Sequence, residues 1–524
     1  MFNWKSFEKS KAVLSHLGGA SYREWLGQHH LYIRPKDLLD WVELLRDDLG
    51  FITLSDIAAK KTSESSCELV YHFLNMENHQ RLNLHLSVSE SEVIPSLGGF
   101  FSNAEWPERE QAELFRLKFD TIKSALLKSD EPGSMVRPDP IYNPNRSERP
   151  YSAEFYEWKH FDSFSPETDG SFELLVCFDP IKIVDSKIRI GLHHQELENK
   201  FASKDLVQIL YLIDQLNISS APTYSIAWAK TIEEMFRVKI PERAQAIRIL
   251  MLELARVADH LTCLANTCLC AGEEEFRLLI NAREKIYELF EKFVGTRSGT
   301  GIAKIGGVSV DLPPGWVVEY QTVAEILKKN LRIINRALIS KHKFRDLLQG
   351  DLLDAQSVLQ WGISGPSMRA AGLNFDLRKS QPFYFYQDID FDIPVGIHGR
   401  AYDRYLIRYE EIFQSIRIMT QVIDNLPLGE VINPFFDGHA LIVTKALKSL
   451  DQPTEWHYSC LESPSGEAGF LANFEGTLTP SRLKIKTPGF ALAQAIPILI
   501  KGLTQEQLAP NIAGLGLSRW EMDR

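Results

Sequence analysis

The stretch PERAQAIRILMLELARVADHLTCLANTCL, Pro241–Leu269, decides the fold class. Ile247, Leu250, Leu254, Val257, Leu261 and Leu264 recur in it at steps of three and four, which places them on one continuous apolar stripe of an α-helix. Pro241 stands where a first helical turn tolerates a missing N–H. Downstream, EEEFRLLINAREKIYELFEKFVG from Glu273 reads as a second helix that opens on carboxylates and closes before Gly295, in accord with the helix dipole and a glycine stop. TVAEILKKNLRIINRALIS from Thr322 and YDRYLIRYEEIFQSIRIMTQVIDNL from Tyr402 predict two more. Long amphipathic helices in series imply a bundle. After a polar break around residues 435–460, RLKIKTPGFALAQAIPILIKGL predicts a strand and a short helix before the terminal WEMDR.

Upstream of the bundle the periodicity changes. PKDLLDWVELLRDDLG from Pro35 has a helical start and a glycine stop at Gly50, while ELVYHFLNM from Glu68 and RLNLHLSV from Arg81, separated by a turn, predict a hairpin packed on that helix. FELLVCF from Phe172 and IKIVDSKIRIG from Ile181 predict another strand pair, and a helical region begins near Leu197. Between them SDEPGSMVRPDPIYNPNRSERP, with prolines at 132, 138, 140, 144 and 150, reads as a linker. The expectation is an α+β multidomain chain. Residues 1–128 would form an α/β domain, 129–150 a proline-rich linker, 151–196 a β-rich lobe, 197–434 a helical bundle and 455–524 a C-terminal α/β lobe.

The chain has 524 residues, 44% hydrophobic and 24% charged, enough apolar surface for more than one core. Its net charge of −11 argues against nucleic acid as a partner. The apolar run FALAQAIPILI from Phe490 falls well short of the roughly 20 residues that cross a bilayer. Charges at Lys5, Glu8, Lys9 and Lys11 interrupt what would be the apolar core of a secretory signal, so a cytoplasmic chain is expected. The six cysteines include no C-x-x-C pair. Even the group Cys263, Cys268, Cys270 lacks the spacing of a tetrahedral metal site, so no metal is expected.

Local motifs offer little chemistry. GTRSGTGIAKIGG from Gly295 lacks both the G-K-[ST] of a P-loop and the third glycine of a dinucleotide fingerprint, and reads as a backbone-packing turn. His193 and His194 are adjacent, so their side chains diverge and suit one surface and one buried histidine better than a shared metal. Glu273, Glu274 and Glu275 are explained by the acidic first turn of a helix. The aromatics of QPFYFYQDIDFDIPVG from Gln381 are flanked by acids and read as core or interface.

Longer stretches carry more. PERAQAIRILMLELARVADHL, AREKIYELFEKFVGTR, KIGGVSVDLPPGW, WGISGPSMRAAGLNFDLRKSQP and DIDFDIPVGIHGRAYDRYLIRYEEIFQSIRI resemble the large D (quinone-site) subunit of bacterial respiratory complex I, the NADH:quinone oxidoreductase. YHFLNMENHQRLNLHL and AEWPEREQAELFRLKF resemble its small C subunit, so the order of the halves is that of the fused C/D subunit. The resemblance covers most of residues 65–125 and 170–524. It implies that the larger part shares the fold of the nickel–iron hydrogenase large subunit without that enzyme's metal-binding cysteines. It also implies that this chain holds no cofactor of its own, that quinone is the substrate, and that the iron–sulfur cluster sits in a neighbouring small subunit. The partners would be that subunit, other peripheral subunits and, through them, membrane subunits, at the cytoplasmic face of the inner (plasma) membrane.

Carried over residue by residue, the resemblance implies that Tyr224 is the quinone-bonding tyrosine. The family's G-P-Q-H-P-x-x-H-G turn aligns with DSFSPETDG, which puts Ser165 and Asp169 at its two histidines, and Cys270 falls at the Asp that orients one of them. In the D-R-L-D-Y segment Gln215 replaces Arg and Asn217 replaces Asp. In AGLGLSRWEMDR, Gly516 replaces an Asp while Glu521, Asp523 and Arg524 persist; His194 and Glu198 match H-R-G-x-E; AELFR stands where the smaller family member has D-M-F-G. Two readings are open: a working quinone-site subunit whose protons come from Tyr224, water or Asp169, or a non-redox scaffold in a complex-I-like ion-translocating membrane assembly.

Overall fold

The computed structural model describes residues 20–121, 157–162, 164–166, 168, 170–350 and 352–523. The proline-rich stretch at 129–150, Asp169 and Arg524 lie outside the described residues. The chain divides into two compact units, the first built from its N-terminal part together with Gln356–Ile363 and the second from the remainder.

In the first unit the expected helix forms as α1 (Leu38–Asp47), preceded by a short turn of 3-10 helix at Pro35–Asp37. The expected hairpin is also present. Strands β1 (Ser21–Trp25), β2 (Gln28–Ile33), β3 (Thr53–Lys61), β4 (Ser66–Leu74) and β5 (Arg81–Ser89) make one sheet in the order β1-β2-β5-β4-β3. Every pair is antiparallel except β2 with β5, so this unit is α+β rather than the α/β expected from sequence. Leu45 and Trp41 of α1 join Tyr71, Leu84 and Phe101 in its core. Helix α2 (Glu105–Phe115) ends on Arg116, whose φ of +58° is left-handed, at the position where D-M-F-G would supply glycine.

The second unit begins with the sheet β6 (Glu157–Phe161), β7 (Glu173–Asp179) and β8 (Lys182–Arg189), ordered β8-β7-β6. Its helices α3 (Ala221–Met235), α4 (Glu242–Cys270), α5 (Phe276–Val294), α6 (Trp316–Ser340) and α7 (Ala401–Asp424) form the bundle, with α4 packed on α3, α5 and α7. Strands β9 (His457–Ser463), β10 (Gly466–Asn473) and β11 (Arg482–Lys486) then form an antiparallel sheet, followed by α8 (Pro488–Ile500). Gly299, in the glycine-rich turn after α5, has φ +73°, and a Cβ there would fall 2.9 Å from Pro222 of α3, so this turn packs backbone against helix.

Two further expectations need correction. The carboxylates at 273–275 precede α5 instead of forming its first turn: Glu273 and Glu275 accept hydrogen bonds from Lys341 Nζ at 2.6 Å. A cation within reach competes better for them than a helix dipole. And α4 is not half-solvated, because every residue from Ala246 to Cys268 is buried, charged ones included. Most of its polar face is paired inside the protein. Glu233 of α3 forks onto Arg248 with both oxygens at 2.7 Å. Glu253 accepts from Arg378 Nη1, Tyr386 Oη and Ser415 Oγ at 3.1, 2.7 and 2.6 Å. Arg256 donates to the carbonyls of Glu462 and Ser463, and His260 Nε2 lies 2.7 Å from Glu411. Arg369 bridges Glu411 and Glu462 at 2.8 Å each. Burial pushes the Glu411 carboxyl up, but Arg369 and His260 outweigh it and hold it well below the usual range.

Removing one member of such a network leaves the others buried and unpaired. Arg369→Met is therefore expected to destabilise the chain by about 3–5 kcal/mol, read as a fall in its thermal unfolding midpoint; a midpoint at or above wild type would contradict the pairing.

Candidate functional site

Tyr224 stands in α3 and is fully buried. Its hydroxyl donates to Glu521 Oε1 at 2.9 Å, and the same oxygen accepts from Asn217 Nδ2 at 2.8 Å. Gly489 N–H reaches the other oxygen at 3.2 Å. The C-terminal motif is thereby fastened to the start of α8, a hold reinforced by Thr487 Oγ1 donating to the Glu521 carbonyl at 2.6 Å. Burial raises the Glu521 carboxyl to about 7 against the lowering effect of these donors.

Next to this cluster lies a cavity of about 330 Å³. Asn217, Ile218 and Ser219 form one wall, Asp259 and Cys263 of α4 a second, Arg283 and Tyr287 of α5 a third, and Gly516–Trp520 with Pro166 close it. Neither Tyr224 nor Glu521 is among the lining residues; the Tyr224 hydroxyl is linked through Glu521 to Asn217, which does line the cavity. Gly516 has φ +70°, and a Cβ there would fall 2.9 Å from Arg408 Nη2. An aspartate at 516 would have to displace that guanidinium.

Ser165 is buried in the turn after β6, its Oγ 3.0 Å from Thr168 Oγ1. Cys270, at the end of α4, donates its thiol to the Phe164 carbonyl at 2.8 Å, and burial pushes that thiol up to about 11. The turn and the helix end that carry the aligned His and Asp positions are thus in contact, joined by a thiol and a carbonyl. Neither residue presents an ionisable proton near neutral pH. Gln215 lies in a turn of 3-10 helix, Asp214–Leu216, ahead of the cavity wall.

The remaining aligned positions lie around the C-terminal motif. Asp523 accepts from the backbone N–H of Gly191 and of His193 at 2.8 Å each; His193 is exposed and His194 half-buried, with both His194 ring nitrogens inside and unpartnered. Glu198 accepts from Arg482 Nη2, Lys484 Nζ and Ile485 N at 2.7, 3.1 and 3.0 Å, which ties the helix Leu197–Ala202 to β11. Among the described residues no group of three or more His, Cys, Asp or Glu could hold a metal ion.

The residue that sequence reading passed over is Asp259. It sits on α4 beside His260, 6% exposed, and faces the cavity. Its only mark in the sequence is a charge at helical spacing from Arg256 and Cys263, which on an amphipathic helix reads as part of a solvated face.

Comparison with known proteins accords with this architecture. The family model described as "Respiratory-chain NADH dehydrogenase, 30 Kd subunit" matches residues 31–137, and "Respiratory-chain NADH dehydrogenase, 49 Kd subunit" matches residues 274–524. The chain is 30% identical over 543 aligned positions to the fused C/D subunit of NADH-quinone oxidoreductase from Bdellovibrio bacteriovorus, covering 95% of this chain and 96% of that one. It is 27% identical to the C/D subunit from Aeromonas salmonicida over 94% of this chain and 92% of the relative, and 31% identical to the D subunit from Myxococcus xanthus over 68% and 90%.

A carboxyl raised from 4.5 to about 7 binds its proton more tightly in the folded than in the unfolded chain, so stability falls as pH rises between those values. Glu521→Gln, which keeps the acceptor for Tyr224 and Asn217, is expected to remove the share of that fall contributed by Glu521. Chemical denaturation at pH 5 and pH 8 checks it; an unchanged pH dependence would contradict a protonatable Glu521.

Proposed function

This chain belongs to the family of fused C/D subunits of NADH-quinone oxidoreductase, and on that premise we propose that it is a peripheral-arm subunit forming the quinone side of the junction with an iron–sulfur subunit. The observation that carries this reading is the cavity. Its walls are built from the segments to which the resemblance assigns quinone and cluster chemistry: the turn at Pro166, Asn217 and the residues around Gly516. At about 330 Å³ it lies within the size range of small-molecule sites. A ring entering it meets apolar, aromatic and charged walls in Ile218, Tyr287, Trp520, Arg283 and Asp259.

Other members of such a complex are the partners this reading requires, in direct contact the small iron–sulfur protein and, through the assembly, the membrane subunits. The reading places the chain peripherally, at the cytoplasmic face of the inner membrane; none of the described helices is long and apolar enough to cross a membrane. The cluster belongs to the partner. This chain's share of the chemistry is to shape the cavity, to exclude bulk water from the ring and to supply protons.

Tyr224 acts in this reading through Glu521, since its hydroxyl is turned to that carboxyl. The native complex containing this chain, with its clusters reduced, is expected to reduce a short-chain quinone. Tyr224→Phe removes one buried hydrogen bond worth about 1 kcal/mol, which corresponds to about a fivefold fall in turnover if all of it is lost from the transition state. A wild-type complex that holds reducible clusters yet gives no quinone reduction would overturn the proposal and leave the scaffold reading.

A further inference from the structure

One acid of the cavity has no part in the chemistry assigned so far. Asp259 is 6% exposed, yet it lines the cavity wall. The ring Nδ1 of His260 lies 4.0 Å from one of its oxygens, and among the described residues no hydrogen bond reaches its carboxyl. A carboxyl so buried is ordinarily satisfied by several donors.

The neighbouring cations explain why it is left open. Arg256 gives its Nη groups to the carbonyls of Glu462 and Ser463. Arg408 gives its own to the carbonyls of Gly514 and Leu515 at 3.0 and 2.8 Å. Both guanidinia therefore act on Asp259 through space without pinning it. His260, the other immediate neighbour, directs Nε2 at Glu411, and burial lowers it to about 4, so it is neutral near pH 7. From α5 Arg283 faces the same cavity and donates to Thr262 Oγ1 at 3.4 Å; from the C-terminal segment Arg519 also lines it, two residues before the buried acid Glu521.

We propose that Asp259 is the acid of this cavity: its carboxyl donates a proton to a carbonyl oxygen of a bound benzoquinone ring, the part left vacant where Ser165 stands in place of a histidine. This rests on the quinone-site reading given above. A reduced iron–sulfur cluster of the neighbouring subunit is oxidised and delivers two electrons, one at a time, to the ring. Both C=O groups become C–OH as the ring becomes aromatic. One proton leaves Asp259 and the other is drawn from bulk solvent past the exposed Ile218; solvent then reprotonates Asp259, so both protons of the hydroquinone come in the end from bulk water. Burial, opposed by Arg408 and Arg256, raises this carboxyl to about 6, which keeps a usable protonated fraction near neutral pH.

The test compares wild type, Asp259→Asn and Asp259→Glu in the native complex, with the clusters reduced and a short-chain benzoquinone as acceptor. Asp259→Asn is expected to lower kcat about 100-fold while KM and cluster content hold, because the amide still offers a hydrogen bond but no proton. Asp259→Glu recovers most of the loss. The wild-type rate falls as pH rises above about 6, and this dependence disappears in Asp259→Asn. Wild-type rate and pH profile in Asp259→Asn would overturn the inference and leave the quinone site standing. No turnover in wild type would remove both. Should the variant not assemble, the infrared difference spectrum of the wild-type complex on adding the benzoquinone decides: a protonated-carboxyl band that shifts supports the inference, and the absence of any such band overturns it.

Discussion

The second unit depends on pairing the charges that α4 carries into its core. Glu253, Arg256, His260 and, toward the N-terminal end, Arg248 occupy a helix buried on every side. Desolvating an ion costs several kcal/mol unless its partners are fixed in place. Here they are fixed by distant segments: Glu233 of α3, Glu411 and Ser415 of α7, Arg369, Arg378 and Tyr386 from the connection before α7, and Glu462 of β9. Each of those segments must reach α4 in one register for the network to close. Hydrophobic burial alone would accept several helix registers; ions paired to fixed partners do not.

The same helix carries the network into the cavity. Glu253, Arg256 and His260 succeed one another at steps of three and four, and Asp259 and Cys263 continue at the edge of that face, where protein partners give way to open volume. The final residue, Cys270, meets the turn at Phe164. An ion-paired spine of this kind fixes the helix that carries the acid, while the Asp259 carboxyl itself stays free to meet a ligand. Tyr224, on α3, belongs instead to the cluster that anchors the C-terminus, and its hydroxyl is linked to the cavity-lining Asn217 through Glu521.

What could be read from the sequence follows from how local each signal is. The bundle helices show in the 3.6-residue recurrence of α4, α5, α6 and α7, and the β4–β5 hairpin shows in its alternation and short turn. The strands β1, β2 and β3 are harder to see, since β2 gains its place by pairing in parallel with β5 across a long stretch of chain. β9 and β10 are hidden by their composition, because Glu462 and Glu467 are buried there and read as surface residues in the sequence. At the site, resemblance led to Tyr224, but its partner Glu521 is 297 residues away and no periodicity links them. Asp259 was hidden for the opposite reason: it sits within the clearest helix, where a charge looks like the solvated face until the packing shows that no face is solvated.

The central claim is that this cavity receives a quinone ring and that Asp259, not Tyr224, meets its oxygen. The most direct measurement is an electron cryomicroscopy structure of the native complex with a short-chain quinone analogue bound. The expected density places the ring between α4, α5 and the C-terminal segment, with one oxygen within hydrogen-bond reach of Asp259 and the Tyr224 hydroxyl still on Glu521. A ring bound elsewhere, or one hydrogen-bonded to a Tyr224 that has left Glu521, would contradict it.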